Sequence, residues 1–149
     1  MDRGTTVLVF EAPLGSYLYR NALQLRERIL RRPLGLNVSA EELTDDTVRQ
    51  HFCAVDCGSV VGTVSLRPLD ETTLHLKQMA VTEQKRATGI GSHLVAHVEH
   101  WGACAGFRLM ITHARLDAEG FYLKHGYARE GGAFLEKSIP HVRLTKRLA

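Results

Sequence analysis

The most constraining part of the sequence is residues 74–95, where one hydrophobic pattern gives way to another. Residues 74–81 are apolar at alternate positions, which predicts a strand with one buried face. Residues 82–89 are polar and basic and contain a glycine, and from Ile90 onward apolar residues recur every three or four positions, as in a helix. A strand, a short loop and a helix in this order direct backbone N–H groups and a positive helix end towards an anion.

The loop itself has the pattern Arg86-x-x-Gly89-x-Gly91. Glycine lacks Cβ, so the backbone at these positions can adopt unusual φ angles and approach a ligand closely. The N–H groups from about Ala87 to Ser92 then suit a pyrophosphate. Taken alone, the pattern also fits a glycine turn that merely opens a helix. It lacks the third glycine of the dinucleotide-binding motif and the lysine of a P-loop.

Composition limits the classes of protein to consider. A chain of 149 residues with 44% hydrophobic and 23% charged residues is typical of one globular domain. A net charge of +3 suits an anionic ligand but gives no dense basic stripe, so we expect no nucleic-acid partner. There is no secretion leader and no run of about 18 apolar residues, so we expect a cytosolic protein without a membrane partner. Three cysteines without a CxxC pair predict reduced thiols and no metal site.

Outside residues 74–95, the patterns predict a mixed α/β chain in the order β-α-(α)-β-β-β-α-β-α-β-β. Helices are expected after the capping residues Ser16 and Ser39, from the loop to about Gly106, and from about Arg115 to Lys124. The other predicted strands are Val7–Ala12, Val48–Val55, Ser59–Leu66, Phe107–Thr112, Tyr127–Ala128 and Val142–Leu148. The arginines of the first helix lie mostly off its apolar stripe and are expected on a solvated face: Arg20, Arg26, Arg28, Arg31 and Arg32.

A second motif lies one strand and one helix downstream, at Phe121-Tyr122-x-x-x-Gly126-Tyr127. Together with Val81-(x)4-Arg86-x-x-Gly89-Ile90-Gly91, it resembles the two signature motifs of the GNAT superfamily of acyl-CoA-dependent N-acyltransferases. The resemblance extends over essentially the whole chain, and Gln78–Val81 and Phe134–His141 are similar to small bacterial members of the ElaA-like kind. It implies a single N-acetyltransferase domain, 1–149, with a mixed, mostly antiparallel sheet of six to seven strands. About four helices and a splayed central strand pair complete the implied GNAT fold.

The resemblance also implies roles for particular residues. Backbone groups of Met79, Ala80 and Val81 would bind the pantetheine of acetyl-CoA and polarise its thioester carbonyl, and Tyr122 would protonate the departing thiolate. The pyrophosphate would be held by Arg86, Ala87, Thr88, Gly89, Ile90, Gly91 and Ser92. The chain departs from the commonest loop in having Ala87-Thr88 where many members have Gly-x, so this half of the loop is expected to be less flexible.

Transfer to an amine also requires that the amine lose a proton. Many relatives use a glutamate on the strand before the loop, and the corresponding residue here is His75, whose ordinary pKa suits proton acceptance near neutrality. His75 equally fits a residue that merely lines the sheet. His113, Glu136 and His141 are candidates for binding the acceptor, because they lie after a predicted strand or beside the last bend.

The resulting hypothesis is direct transfer of an acetyl group from acetyl-CoA to a primary amine, with a small-molecule acceptor favoured over a protein. No metal is required, and the enzyme is expected to be a monomer or a homodimer. The alternative is a catalytically silent acyl-CoA-binding sensor or interaction module of the same fold.

Overall fold

The computed structural model describes residues 7–148, which form seven strands and four helices. In chain order they are β1 (Leu8–Glu11), α1 (Tyr17–Arg26), α2 (Ala40–Asp46), β2 (Gln50–Asp56), β3 (Ser59–Pro68), β4 (Thr73–Val81), α3 (Ile90–Cys104), β5 (Leu109–Arg115), α4 (Glu119–Lys124), β6 (Ala128–Glu136) and β7 (Ile139–Arg147). The sheet order is β1-β2-β3-β4-β5-β7-β6. Strands β4 and β5 are parallel, whereas β1-β2, β2-β3, β5-β7 and β7-β6 are antiparallel. The predicted mixed, mostly antiparallel fold is confirmed.

The described residues form two compact units. The first contains residues 7–67 together with Gln78–Val98, and the second contains Pro68–Lys77 together with residues 99–148. The division of the chain into a single domain, 1–149, stays a prediction. Its ends, and with them the expected lack of a leader at residues 1–6, lie outside the described residues.

In the first unit, the predicted caps and turn are present. The Ser16 and Ser39 hydroxyls accept hydrogen bonds from N–H groups in the first turns of α1 and α2, which satisfies donors that helix geometry leaves unpaired. Strands β2 and β3 are joined at Cys57 and Gly58, both with positive φ (50° and 78°), as a two-residue hairpin turn requires. The core of this unit includes Phe52, Ala54, Val64, Leu66, Ile90, Leu94, Val95 and Val98.

The prediction of a solvated basic face on the first helix is wrong for two of its arginines. Arg26 and Arg31 are buried, and each forms a bidentate ion pair with a carboxylate of α2. Arg26 pairs with Asp46, and Arg31 pairs with Glu42. Burial of a charge is tolerated here because a partner of opposite sign is buried with it.

In the second unit, β5 is the central strand. It pairs in parallel with β4 over only four positions, from Thr73 with Leu109 to Leu76 with Thr112, and antiparallel with β7 along its whole length. The prediction placed this strand at 107–112, but Arg108 and Leu109 donate their N–H groups to Thr72 O, and the strand proper continues to Arg115.

The prediction for β6 was too short. It extends to Glu136 and forms a hairpin with β7 through Lys137 and Ser138, which both have positive φ. The register shifts between Glu130 and Phe134, where Gly131 has φ of 79°. This irregularity explains why the alternating pattern of a strand is hard to recognise there.

The three cysteines are free thiols. Cys53 is buried, and burial raises the pKa of its thiol to about 11. Cys57 and Cys104 are exposed.

Candidate functional site

Strand β4 contains a left-handed residue in its interior. Gln78 has φ of 62°, the backbone conformation of a β-bulge, although it is not glycine. It directly precedes Met79, Ala80 and Val81, the three residues expected to present backbone groups to pantetheine. The far end of this segment is fixed, because Thr82 N donates to Val61 O on β3 at 2.8 Å.

The loop after β4 begins with a 3-10 turn, Glu83–Lys85, and ends at the first residue of α3. Ala87 and Gly89 both have positive φ (63° and 90°), so an alanine adopts a conformation that glycine usually supplies. Arg86, Ala87, Thr88 and Gly89 are exposed. The loop therefore presents its backbone and the Arg86 side chain to solvent at the beginning of α3.

Helix α3 provides the positive end expected for an anion site. It has 15 residues and no acidic residue in its first turn. The N–H groups of a first helical turn have no acceptor within the helix, and the helix dipole adds partial positive charge there. Ile90 and Leu94 are buried and anchor this turn in the first unit. The arrangement is suited to bind a pyrophosphate.

Charges around this loop are arranged in pairs. Lys85 Nζ lies 3.1 Å from Asp56 Oδ2, and the hydrogen bond from Lys85 lowers the pKa of that carboxyl. Arg28 Nη2 lies 3.0 Å from Thr82 Oγ1 and 3.4 Å from Glu83 Oε1. These pairs connect the start of the loop to the helical segment Glu27–Arg31 that follows α1 and to the end of β2.

Tyr122, the expected acid, is buried in the second unit. Its ring makes edge contacts with Phe121 and Tyr127. Burial raises the pKa of Tyr122 well above its ordinary value, and a hydrogen bond with Thr112 opposes that change. The phenol thus keeps its proton at every physiological pH, as a hydrogen-bond donor to a developing anion must.

Four residues far apart in the sequence come together on the second unit: His75, His113, Glu136 and His141, here named the histidine–carboxylate cluster. The rings of His75 and His113 lie 5.1 Å apart between centroids. Glu136 lies between His113 and His141, with Oε1 3.6 Å from His113 Nδ1 and Oε2 3.6 Å from His141 Nε2. All four residues had been singled out from the sequence, and none is adjacent to another along the chain.

Strand register explains the cluster. Arg115 pairs with His141 across β5 and β7, and His141 pairs with Phe134 across β7 and β6, so alternate residues of these strands share one face. His113, two residues before Arg115, lies on that face, whereas Thr112, the partner of Tyr122, lies on the other. Phe134 contacts both His113 and His141, with centroids 5.1 Å and 6.2 Å apart.

His141 is oriented by its own strand. Its Nδ1–H donates to Ile139 O at 2.7 Å, which leaves Nε2 to face Glu136. The side chain of His141 is 9% exposed, whereas those of His113 and Glu136 are 31% and 39% exposed. His141 is therefore the fixed, buried member of the cluster, and solvent or a ligand can reach His113 and Glu136.

A family profile described as acetyltransferase (GNAT) domain matches residues 48–129, more than half of the chain. The chain belongs to the GNAT acetyltransferases. It is an acyltransferase, as the two sequence motifs predicted. The family match confirms the superfamily, and the ElaA-like subtype stays a prediction.

One relative and two solved structures show how similar known members of the GNAT family are. The uncharacterized N-acetyltransferase YjcF of Bacillus subtilis is 29% identical over 130 residues, covering 85% of this chain and 91% of YjcF. An aminoglycoside 6'-N-acetyltransferase complexed with coenzyme A superposes with a TM-score of 0.78 at 20% identity, covering 95% and 97% of the two chains. A GNAT acetyltransferase from Elizabethkingia anophelis with acetyl-CoA bound gives 0.72 at 20% identity, covering 95% and 98%.

Within residues 7–148, no group of three or more His, Cys, Asp or Glu side chains is arranged to hold a metal ion. No helix in that range is long and apolar enough to span a membrane.

The sequence reasoning missed one feature of the site, the polar network behind Gln78. A signal was present, because alternation along β4 places Gln78 on the same face as the buried Leu74, Leu76 and Ala80. A buried amide requires hydrogen-bond partners, and these had to come from elsewhere in the chain.

Proposed function

We propose that this GNAT protein transfers the acetyl group of acetyl-CoA directly to a primary amine, with a small-molecule acceptor favoured over a protein. The observation that carries the proposal is the loop at residues 86–92, with left-handed Ala87 and Gly89 opening the long helix α3. Backbone donors at a helix N-terminus are suited to a pyrophosphate. The relative solved with acetyl-CoA bound supports the same cosubstrate here.

Met79, Ala80 and Val81 are proposed to bind pantetheine through their backbone and to donate a hydrogen bond to the thioester oxygen. Such a donor is typically worth about 10²–10³ in rate when it faces developing negative charge. The amine nitrogen forms a bond to the carbonyl carbon, the carbon–sulfur bond breaks, and the sulfur leaves as a thiolate.

Tyr122 is proposed to stabilise that thiolate. A thiol has a pKa of about 8.5, below the ordinary value of about 10 for tyrosine. Because burial raises the pKa of Tyr122 further, donation of a hydrogen bond is favoured over complete loss of its proton. The proton that the amine nitrogen loses on forming the amide is then taken up by the thiolate, which gives the thiol of the CoA product.

The histidine–carboxylate cluster is proposed to bind the acceptor, with His75 as the base. Neutralising an amine of pKa about 10.4 at pH 7 costs about 4–5 kcal/mol, whereas an α-amine of pKa about 8 costs about 1–1.5 kcal/mol. A base is therefore needed for the first kind of acceptor and dispensable for the second. Glu136 is negatively charged and partly exposed, so it is suited to attract the amine in its cationic form.

The test is release of CoA thiol from acetyl-CoA with a panel of primary amines, including aminoglycosides, polyamines, amino acids and lysine peptides. Mass spectrometry of the product identifies the acetylated nitrogen, and a reaction without amine measures background hydrolysis. Turnover with at least one amine is expected. Binding of acetyl-CoA by calorimetry without turnover on any amine would favour the silent binding module, and absence of both would refute the proposed function.

A further inference from the structure

The side chain of Gln78 is held by three elements of the first unit. Its Oε1 accepts hydrogen bonds from Arg26 Nη1 at 3.0 Å and from Ser65 Oγ at 3.1 Å, and its Nε2 donates to Glu42 Oε2 at 3.4 Å. Two donors face the amide oxygen and one acceptor faces the amide nitrogen, so only one orientation of the amide satisfies all three contacts. Gln78 is thus fixed by α1, α2 and β3 together.

The partners of Gln78 are themselves held by other side chains, and two of them, Arg26 and Ser65, are buried. Arg26 donates to both oxygens of Asp46, at 3.2 Å and 2.8 Å, and the Tyr19 hydroxyl donates to Asp46 Oδ2 at 2.5 Å. Asp46 is fully buried and Arg26 is 3% exposed. Glu42 accepts two hydrogen bonds from Arg31, at 2.7 Å and 2.9 Å. Hydrogen bonds between charged partners are short and directional, which makes this a rigid base for an amide.

The backbone of Gln78 needs such support. A left-handed conformation costs a residue with a Cβ about 1–2 kcal/mol, a cost that glycine avoids. Three hydrogen bonds on a buried side chain, each worth about 0.5–1.5 kcal/mol net, are sufficient to offset it. The network therefore maintains a strand irregularity that the backbone alone disfavours.

The irregularity lies immediately before Met79–Val81. A left-handed residue inside a strand rotates the peptide groups that follow it and re-aims them relative to the residues that precede it. Thr82 fixes the other end of this segment through its hydrogen bond to Val61 O. The direction of the Met79, Ala80 and Val81 N–H and C=O groups thus depends on the buried side chain of Gln78.

We infer that Gln78 is a positioning residue for acetyl transfer, whose side-chain network with Arg26, Ser65 and Glu42 aims the backbone groups of Met79–Val81 at the thioester. The inference rests on the proposed function. It differs from a general stabilising role because it predicts a loss in kcat that exceeds the loss in acetyl-CoA affinity. The pyrophosphate loop at residues 86–92 provides contacts that Gln78 does not control.

The first test is Gln78→Met, which keeps the length of the side chain and removes its amide. We expect kcat to fall at least about tenfold, because a misplaced oxyanion donor costs up to about 10²–10³. The Kd for acetyl-CoA, measured by calorimetry, should change by less than about threefold, with unchanged stoichiometry. The matched control is Thr63→Val, which removes another buried hydrogen bond of the same unit, from Thr63 Oγ1 to Phe52 O, and should leave kcat unchanged.

The second test is a charge exchange across the 3.4 Å contact between Gln78 and Glu42. Gln78→Glu keeps an acceptor for Arg26 and Ser65 but opposes one carboxylate with another, so kcat should fall as in Gln78→Met. The double variant Q78E/E42Q restores an amide opposite a carboxylate and should recover part of the lost kcat, although residue 42 then offers Arg31 one amide oxygen in place of a carboxylate. Recovery through a residue on α2 is not expected if Gln78 merely fills space.

Several outcomes would overturn the inference. They are a wild-type kcat in Gln78→Met, a loss of kcat matched by a loss of acetyl-CoA binding stoichiometry, an equal loss in Thr63→Val, and no recovery in the double variant. Wild-type protein that neither binds nor turns over acetyl-CoA would refute the proposed function itself, which is a separate result from any of these.

Discussion

Substitution of Gly62 by alanine is expected to weaken acetyl-CoA binding by displacing the first turn of α3. A Cβ at this position of β3 would lie 2.9 Å from Leu94 Cδ1 and 3.0 Å from Ile90 Cγ2. Ile90 is β-branched and fully packed, so it cannot rotate away easily and the first turn of α3 must shift by a few tenths of an ångström. That turn carries the N–H groups proposed to hold the pyrophosphate.

The magnitude follows from two opposing effects. Overpacking of a core costs about 1–3 kcal/mol, and replacing glycine in a strand by alanine gains about 0.5–1 kcal/mol. The net loss of stability is then between about 0 and 2.5 kcal/mol, or up to about 10 °C in Tm for a chain of this length. We expect acetyl-CoA affinity to fall about three- to tenfold, which corresponds to about 0.6–1.4 kcal/mol. Calorimetry and thermal unfolding measure the two quantities independently.

The matched control is Gly102→Ala near the other end of α3. A Cβ there would lie 2.7 Å from Leu74 Cδ1 and 3.2 Å from Leu148 Cδ1, so the overpacking is comparable, although helix propensity recovers about 1 kcal/mol. This variant should lower Tm and leave acetyl-CoA affinity unchanged. Equal loss of affinity in both variants, or a lower Tm with full affinity in Gly62→Ala, would refute the link between β3 packing and the loop.

Three further predictions concern single side chains. Tyr122→Phe should lower kcat by about 10²–10⁴, typical of a positioned acid, with little change in the Kd for acetyl-CoA; an unchanged kcat would remove Tyr122 from the mechanism. Asp46→Ala leaves the buried Arg26 charge without its carboxylate and should lower the free energy of unfolding in urea by about 3–5 kcal/mol. Adding Arg26→Met should recover part of this loss, and a loss below about 1 kcal/mol would contradict burial of the pair. Burial lowers the pKa of His51 below its ordinary value of about 6.5, so the unfolded chain binds more protons near that pH. The contribution of neutral His51 to the free energy of unfolding should therefore be full above about pH 6.5 and decrease as the pH falls below that value. His51→Gln should flatten this dependence in unfolding curves recorded from about pH 8 to 5.

The parts of the fold that local patterns determine were predictable. The caps at Ser16 and Ser39, the hairpin turn at Cys57-Gly58 and the loop before α3 each depend on residues within a few positions of one another. The boundaries of β5 and β6 were less accurate. They depend on a hydrogen bond to Thr72 and on a register shift at Gly131, and neither leaves a periodic signal in the sequence.

The members of the histidine–carboxylate cluster could be selected from the sequence, but their arrangement could not. His75, His113, Glu136 and His141 could be selected one at a time as titratable residues near strand ends, but their mutual distances follow from strand register, which the sequence does not specify. Arg26 illustrates the opposite error. It lies beside the apolar stripe of α1, and its burial depends on Asp46, twenty residues away on α2. A pairing between two helices cannot be inferred from the period of either one.

The network behind Gln78 has a consequence for how this protein tolerates sequence change. Residues of α1, α2 and β3 determine the direction of the backbone groups at Met79–Val81 through the Gln78 side chain, so a saturation mutagenesis screen scored by activity should report Arg26, Glu42 and Ser65 among its sensitive positions. A screen scored by abundance should rank Ser65 lower, whereas Arg26, Glu42 and Asp46 should rank high in it as well, because loss of any of them leaves a buried charge without its partner. The two rankings together would separate the residues that direct the reaction from those that maintain the fold.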